Sequence, residues 1–385
     1  MLSADELRRY GRHLVLPLFG VDGQERLKRA SVLIVGLGGL GSPAALYLAA
    51  AGVGRLGLID HDVVDESNLQ RQVLHGTSTV GTAKTDSARA RIADLNPFVA
   101  VDTYATSLAS DNAFALVSDF DLVVDGTDQF GTRYVVSDAC VLAGKPNVYG
   151  AVHRFEGQVS VFSMDSGPCY RCLFPEPPPE GSVPNCAEGG VLGVLPGIIG
   201  AMQAAEAIKI LAGVGEHLGG RLLVFDALTM RSRTIDVMRS SSCPACGISP
   251  QIHVDGTRLV AEEELAAHYT AGCQPTLTTL SLEIGVREVA ERIARGDAIT
   301  LVDVREPWEH AVARLEGATL MPLATLSAAA LALPRDADIV VYCHHGVRSA
   351  SAASLLRDQG FARVRSLAGG IERWSVEVDA RVSRY

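Results

Sequence analysis

A short strand, a glycine-rich turn, an apolar helix and a second strand follow one another between residues 31 and 60. No other stretch of the chain restricts its fold so tightly. Ser31–Val35 is rich in β-branched residues, GLGGLG fills positions 36–41, AALYLAAAGV spans 44–53, and a second strand over Arg55–Ile59 ends at Asp60. This is a βαβ unit, in which glycines let backbone amides approach a phosphate at a helix N-terminus. The alternation continues with a helix over about 82–94 and a strand over 98–103. Strand Phe120–Val124 runs into DGTD at 125–128, before a helix at 131–143 and a strand at 146–150. The predicted fold is α/β, a mostly parallel sheet with helices on both faces.

Gly36, Gly38 and Gly41, with Gly39 between them, also fit a dinucleotide enzyme, and Asp60 would then face ribose hydroxyls. Both readings put a nucleotide at this turn. The sequel is less suited to hydride transfer, because DHDVVDESNLQRQ (60–72) carries polar and cationic groups and Lys84 opens the next helix. Arg71 and Lys84 are the residue types that hold a triphosphate and offset charge moving onto pyrophosphate. Asp128 is a hard oxygen donor of the kind magnesium takes. Each alone reads as a solvated surface charge, but all lie at carboxyl ends of adjacent strands, the usual ligand side of such a sheet.

Eight cysteines stand at 140, 169, 172, 186, 243, 246, 273 and 343, in a chain of 385 residues whose start has no basic-then-apolar leader. They suggest metal and thiol chemistry in a reducing, cytoplasmic setting, in preference to a disulfide scaffold. Cys169-x-x-Cys172 and Cys243-x-x-Cys246 supply four thiolates in two tight turns, a zinc pattern. Free cysteines or a redox pair are the plainer alternatives. Cys186, in PNCAEGG after a proline-rich stretch, is either a buried structural thiol or a reactive one.

A second α/β rhythm begins beyond about residue 279, with predicted helices over 288–296 and 349–360 and strands over 299–305, 338–343 and 363–367. In VYCHHGVRS (341–349) a strand delivers Cys343 into a short loop before a helix. Inward amides and the helix N-terminus form an anion nest that stabilises a thiolate or persulfide, and Arg348 supplies a cation. A phosphatase loop uses the same physics with five residues between Cys and Arg. Here there are four, which suits a sulfur anion better.

The stretch GRHLVLPLFGVDGQERLKRASVLIVGLGGLGSPAALYLAAAGVGRLGLIDHDVVDESNLQRQ resembles the adenylating enzymes of molybdopterin and thiamin biosynthesis, relatives of the ubiquitin-activating enzymes. The likeness runs from about residue 8 to 246. It implies that Asp60 binds the ribose of ATP, that Asn68, Arg71 and Lys84 contact its phosphates, and that Asp128 binds Mg2+. It also implies zinc on the four cysteines, and a homodimer in which Arg12 reaches the other subunit's site. Its substrate would be a small ubiquitin-like protein ending in Gly-Gly, whose activated tail Cys186 could touch. Residues 280–382, with LVDVREPWEH (301–310) and LAGGIERW (367–374), resemble a single rhodanese domain. Cys343 would then carry a persulfide, with Asp303 and Arg305 supporting the loop and His344 and His345 tuning the anion or facing solvent. Sulfur would come from thiosulfate or a cysteine desulfurase.

The expected organisation is an adenylating domain over 1–247, a linker over 248–279 and a sulfurtransferase domain over 280–385. A net charge of -10 argues against a nucleic-acid binder. The apolar run 191–210 contains Pro196, Gln203, Glu206 and Lys209, which predicts a buried helix and no membrane span. The expected function is ATP-dependent adenylation of the carrier's carboxyl terminus, then sulfur transfer from Cys343. The rivals are an enzyme that only adenylates and a non-catalytic scaffold for ubiquitin-like proteins.

Overall fold

A computed structural model describes residues 1–178, 190–270 and 283–385, apart from the side chain of residue 332. Cys186 and Cys273 lie outside the described residues. The chain divides into two compact units, Met1–Cys273 and Gln274–Tyr385.

The first unit is built on an eight-stranded sheet. Its strands are β1 (Ser31–Val35), β2 (Arg55–Ile59), β3 (Ala100–Tyr104), β4 (Leu122–Asp125), β5 (Asn147–His153), β6 (Glu156–Phe162), β7 (Arg221–Asp226) and β8 (Arg231–Asp236). They lie in the order β3-β2-β1-β4-β5-β6-β7-β8. The first five are parallel, and β6, β7 and β8 close the sheet in antiparallel pairings. β8, exposed along its whole length, lacks the apolar alternation that would mark it as a strand from sequence. The chain crosses from one side of β1 to the other on going from β3 to β4, so a crevice opens beyond the carboxyl ends at this switch point. β1 and β4 are buried on both faces, as continuous apolar runs in parallel strands are.

Helix Val194–Ala212 is long and apolar enough to cross a membrane by length and composition alone. Here it is a core helix. Leu195, Ile199, Ala204 and Ala207 are buried, and Gln203 Nε2 donates to the carbonyls of Asp125 at 2.7 Å and Val148 at 3.0 Å.

Part of the segment read as a linker carries regular structure. β9 (His253–Asp255) and β10 (Arg258–Val260) form an antiparallel hairpin, and helix Glu263–Ala267 follows. Leu259 is buried in a cluster with Leu108, Ala113 and Val135 of the first unit. Short strands and small residues hide this packing from a periodicity reading.

The second unit holds a five-stranded parallel sheet of β11 (Glu283–Ile284), β12 (Ile299–Asp303), β13 (Thr319–Leu320), β14 (Asp338–Tyr342) and β15 (Val364–Leu367), in the order β11-β15-β14-β12-β13. β14 is central, and Cys343 follows its last residue.

Candidate active site

In the first unit the crevice is a cleft of about 600 Å3. Gly36, Gly38, Gly39, Asp60, Arg71, Lys84 and Asp128 all line it. The turn after β1 requires glycine at two points. Gly36 has φ of +86°, and a Cβ on Gly41 would stand 1.8 Å from the Gly36 carbonyl oxygen. Gly41 thus lies behind the turn, packing the helix against it.

The cleft's polar groups are fixed by short-range bonds. Asp60 Oδ2 accepts from the Leu37 amide at 2.7 Å and Oδ1 from the Asp62 amide at 2.8 Å, leaving a carboxylate acceptor at the end of β2. Lys84, with its side chain 6% exposed, donates through Nζ to Asp62 at 2.8 Å. Arg71 donates to the Ser67 carbonyl at 3.1 Å. Asp128 is exposed in the cleft. Beneath it the buried Asp125 accepts from the amide and hydroxyl of Thr127 at 3.0 and 2.7 Å, shaping the turn that presents Asp128. Burial pushes the Asp125 carboxyl up, against the pull of Arg133. His75 spans from the Leu37 carbonyl (3.1 Å) to the Ser87 hydroxyl (2.9 Å), and burial pushes its pKa down, favouring a neutral ring behind the glycine turn. Asn68 sits on the neighbouring 3-10 turn Glu66–Asn68 and is not among the lining residues. Arg12 is exposed on helix Gly11–Leu14, outside the lining.

The four predicted cysteines converge. Sγ of Cys169 lies 3.9 Å from that of Cys172 and 3.5 Å from that of Cys243, and Cys172 and Cys246 are 3.4 Å apart. All four sulfurs fall within 4.8 Å of one another. A tetrahedral thiolate site with metal–sulfur bonds near 2.3 Å has sulfur–sulfur edges of about 3.8 Å, so the cluster is able to hold a metal ion. Hydrogen bonding with Cys169 lowers the pKa of both Cys172 and Cys243. Between the first pair, the fully buried Arg171 grips Asp138 through Nε (2.9 Å) and Nη2 (2.8 Å).

In the second unit, Cys343 is 2% exposed, and its Sγ accepts from the Gly346 amide at 3.1 Å and lies 3.5 Å from the Ser349 hydroxyl. Gly346, with φ of +100°, makes this turn possible. The helix starts at Val347, two residues earlier than the sequence suggests, which puts Arg348 in its first turn. Arg348 is not a free cation. It donates to both carboxylate oxygens of Glu309, at 2.7 and 2.6 Å, so the amide of Gly346 is the donor closest to the sulfur. Asp303 and Arg305 form a fully buried pair at 2.6 Å beneath the loop, and the Tyr342 hydroxyl donates to Asp303 at 3.0 Å. His344 is stacked between His345 (4.1 Å) and Tyr385 (4.5 Å).

The ThiF family matches residues 10–245. The chain belongs to the ThiF family. This ThiF chain also matches the rhodanese-like domain over 286–377. It is 46% identical over 390 residues to the probable adenylyltransferase/sulfurtransferase MoeZ of Mycobacterium tuberculosis, covering 100% of this chain and 96% of the relative. It is 44% identical to the adenylyltransferase and sulfurtransferase MOCS3 of Sus scrofa, covering 100% of this chain and 89% of that one. A sulfur carrier protein adenylyltransferase of Thermus thermophilus is 53% identical over 253 residues, 64% of this chain and 93% of the relative. Among solved structures, PaaA is similar with a TM-score of 0.53 at 26% identity, over 62% of this chain and 76% of that one. Escherichia coli MccB with ATP shares the fold at a TM-score of 0.52 and 24% identity, over 59% of this chain and 69% of that one.

Sequence reasoning missed several groups of this ThiF chain. Gln72 and the stretch 106–110 line the cleft, and Glu309 and Tyr385 hold the sulfur loop's surroundings. Gln72, one residue beyond Arg71, was within reach of the motif. Glu309 and Tyr385 were not, since only the fold brings them beside Arg348 and Arg305.

Proposed function

We infer that this chain adenylates the C-terminal carboxylate of a ubiquitin-like sulfur-carrier protein with ATP, and then transfers sulfur to it from Cys343. The observation carrying this reading is the union, in one chain aligned end to end with adenylyltransferase/sulfurtransferases, of a glycine-turn cleft and a buried cysteine whose sulfur accepts from the Gly346 amide. Adenylation belongs to the first unit, Met1–Cys273, and sulfur transfer to the second, Gln274–Tyr385.

The carrier's carboxylate attacks the α-phosphorus of ATP. An oxygen–phosphorus bond forms, the α–β bridge breaks, and pyrophosphate leaves. Asp60 orients the ribose. Arg71 and Lys84 face the phosphates, where fixed cations stabilise charge passing to the leaving group, and Asn68 would reach them from the neighbouring 3-10 turn. Bound Mg2+ would neutralise phosphate charge, and Asp128, an exposed carboxylate in the cleft, is the group to hold it. The terminal sulfur of a Cys343 persulfide then attacks the acyl carbon, and AMP leaves with the bonding electrons. A thiolate, that of Cys186 or an external thiol, attacks Sγ of Cys343, expelling the carrier thiocarboxylate and leaving a disulfide for a thiol reductant to cleave. The persulfide is filled from thiosulfate or a cysteine desulfurase.

Zinc fits the four-cysteine cluster, because sulfur is its usual donor and the sulfur spacings match a closed tetrahedral site. It would brace the turns that carry Arg171. The enzyme would be a cytoplasmic homodimer, with Arg12 reaching the partner's cleft. The test is isotope exchange between pyrophosphate and ATP. It should require a carrier ending in Gly-Gly, and Lys84→Ala should slow it by about 100-fold or more. Exchange without a carrier, or none with any Gly-Gly carrier, contradicts the reading.

A further inference from the structure

We propose that residues 252–270 are a working wall of the nucleotide cleft, with Tyr269 and Thr270 positioning the nucleoside of bound ATP. The proposal rests on the reading of this cleft as an ATP site. The ThiF family match ends at residue 245, so these residues lie beyond the shared domain, yet both Tyr269 and Thr270 line the cleft.

Their place within it indicates what they face. The glycine turn after β1 and Arg71 form the anion-binding end. Asp60, at the end of β2, marks the ribose. The stretch 106–110 follows β3, one strand further out, which is where the base lies when phosphates sit at β1. Thr106, Ala109 and Ser110 line the cleft together with Tyr269 and Thr270.

The segment is built to hold that end closed. The Leu259 amide donates to the Ser110 carbonyl at 2.7 Å, tying β10 to the irregular stretch after β3. The Leu259 side chain is 3% exposed in the cluster containing Leu108 and Val135. At the far end, His268 Nδ1 lies 2.8 Å from Arg171 Nη1, and the His268 ring packs on Tyr134 at 5.3 Å. The Arg171 guanidinium stands 5.9 Å from the Tyr269 ring and is itself locked to the buried Asp138. Arg171 lies between Cys169 and Cys172, so the rigid cysteine knuckle anchors the wall. A stretch such as 106–110, without regular hydrogen bonding, otherwise pays its ordering entropy when the ligand binds.

The experiment uses the full chain and its carrier, with ATP and inorganic tripolyphosphate as probes. Tripolyphosphate carries the anionic groups without a nucleoside. Thr270→Trp, at an exposed position that adds bulk at the base end, should raise KM for ATP by about ten-fold or more while kcat changes by less than about two-fold. Tyr269→Ala should act in the same direction, and Tyr269→Phe, which keeps the ring, should restore most of the affinity. Inhibition by tripolyphosphate should be unchanged in all three. An unchanged KM for ATP in Thr270→Trp overturns the proposal even if Tyr269→Ala fails to fold. An equal loss of tripolyphosphate binding overturns it too, as it would mean a general collapse of the cleft. A wild-type chain without pyrophosphate exchange would sink the ATP reading and this inference with it, whereas active variants with wild-type KM sink the inference alone.

Discussion

Glu309 governs the charge balance beside the sulfur loop. Burial pushes its carboxyl up, but donation from Arg348 and from the Glu306 amide outweighs that and holds it below the ordinary carboxylate range. Asp303 behaves alike: burial pushes it up, and hydrogen bonds from Arg305 and His310 win. A carboxyl whose pKa is lower in the folded state stabilises the fold above its unfolded pKa, and that contribution disappears as pH falls through the folded value. Stability of the second unit should therefore be steady above about pH 5 and decline below about pH 4. Both tryptophans, Trp308 and Trp374, lie in this unit, so their fluorescence reports its unfolding within the whole chain. Denaturant titrations followed by that signal from pH 7 to pH 3 should show the decline. Glu309→Gln should cost about 1–3 kcal/mol at pH 7 and flatten the acid limb. An acid limb unaltered in the variant would contradict this assignment.

At the scale of elements, the four-cysteine cluster joins the stretch after β6, at helix Tyr170–Leu173, to the turn after β8. Both pairs follow antiparallel strands, and the cluster packs against Val141 and Leu142 near the end of helix Phe130–Ala143. On the reading of this cluster as a zinc site, Cys243→Ser should lower the zinc content per chain to near zero and cost several kcal/mol of first-unit stability. Retention of one zinc per chain would show that the ion sits elsewhere. How far such elements can be read from sequence depends on how local their signal is. The turn at 36–41 was legible because Gly36 and Gly41 are demanded by backbone geometry within six residues, and the cysteines because ligand type and tight spacing survive without knowledge of the fold. Strand β8 was not, since RSRTID is exposed and polar and is held only by pairing with β7. Hairpin β9–β10 was hidden for a different reason, since its strands are three residues long and only Leu259 is buried. Arg348 was identified by position, but its engagement by Glu309 depends on a helix 39 residues away in sequence.

On the scale of the whole molecule, two kinds of activation share one chain. A carboxylate is a poor electrophile until AMP becomes its leaving group, and sulfur is a strong nucleophile as its anion, a form that nearby N–H donors favour. On the proposed reading, the first need falls to the cleft lined by Asp60, Arg71, Lys84 and Asp128, and the second to the buried Cys343 facing the Gly346 amide. This division of labour predicts that the two activities separate cleanly by mutation. The most direct test weighs an intact Gly-Gly carrier after incubation with the enzyme, ATP and a sulfur donor. The wild-type chain should add about 16 Da, one oxygen replaced by sulfur. Cys343→Ala should keep carrier-dependent pyrophosphate exchange and give no thiocarboxylate. Undiminished thiocarboxylate from Cys343→Ala would contradict the account.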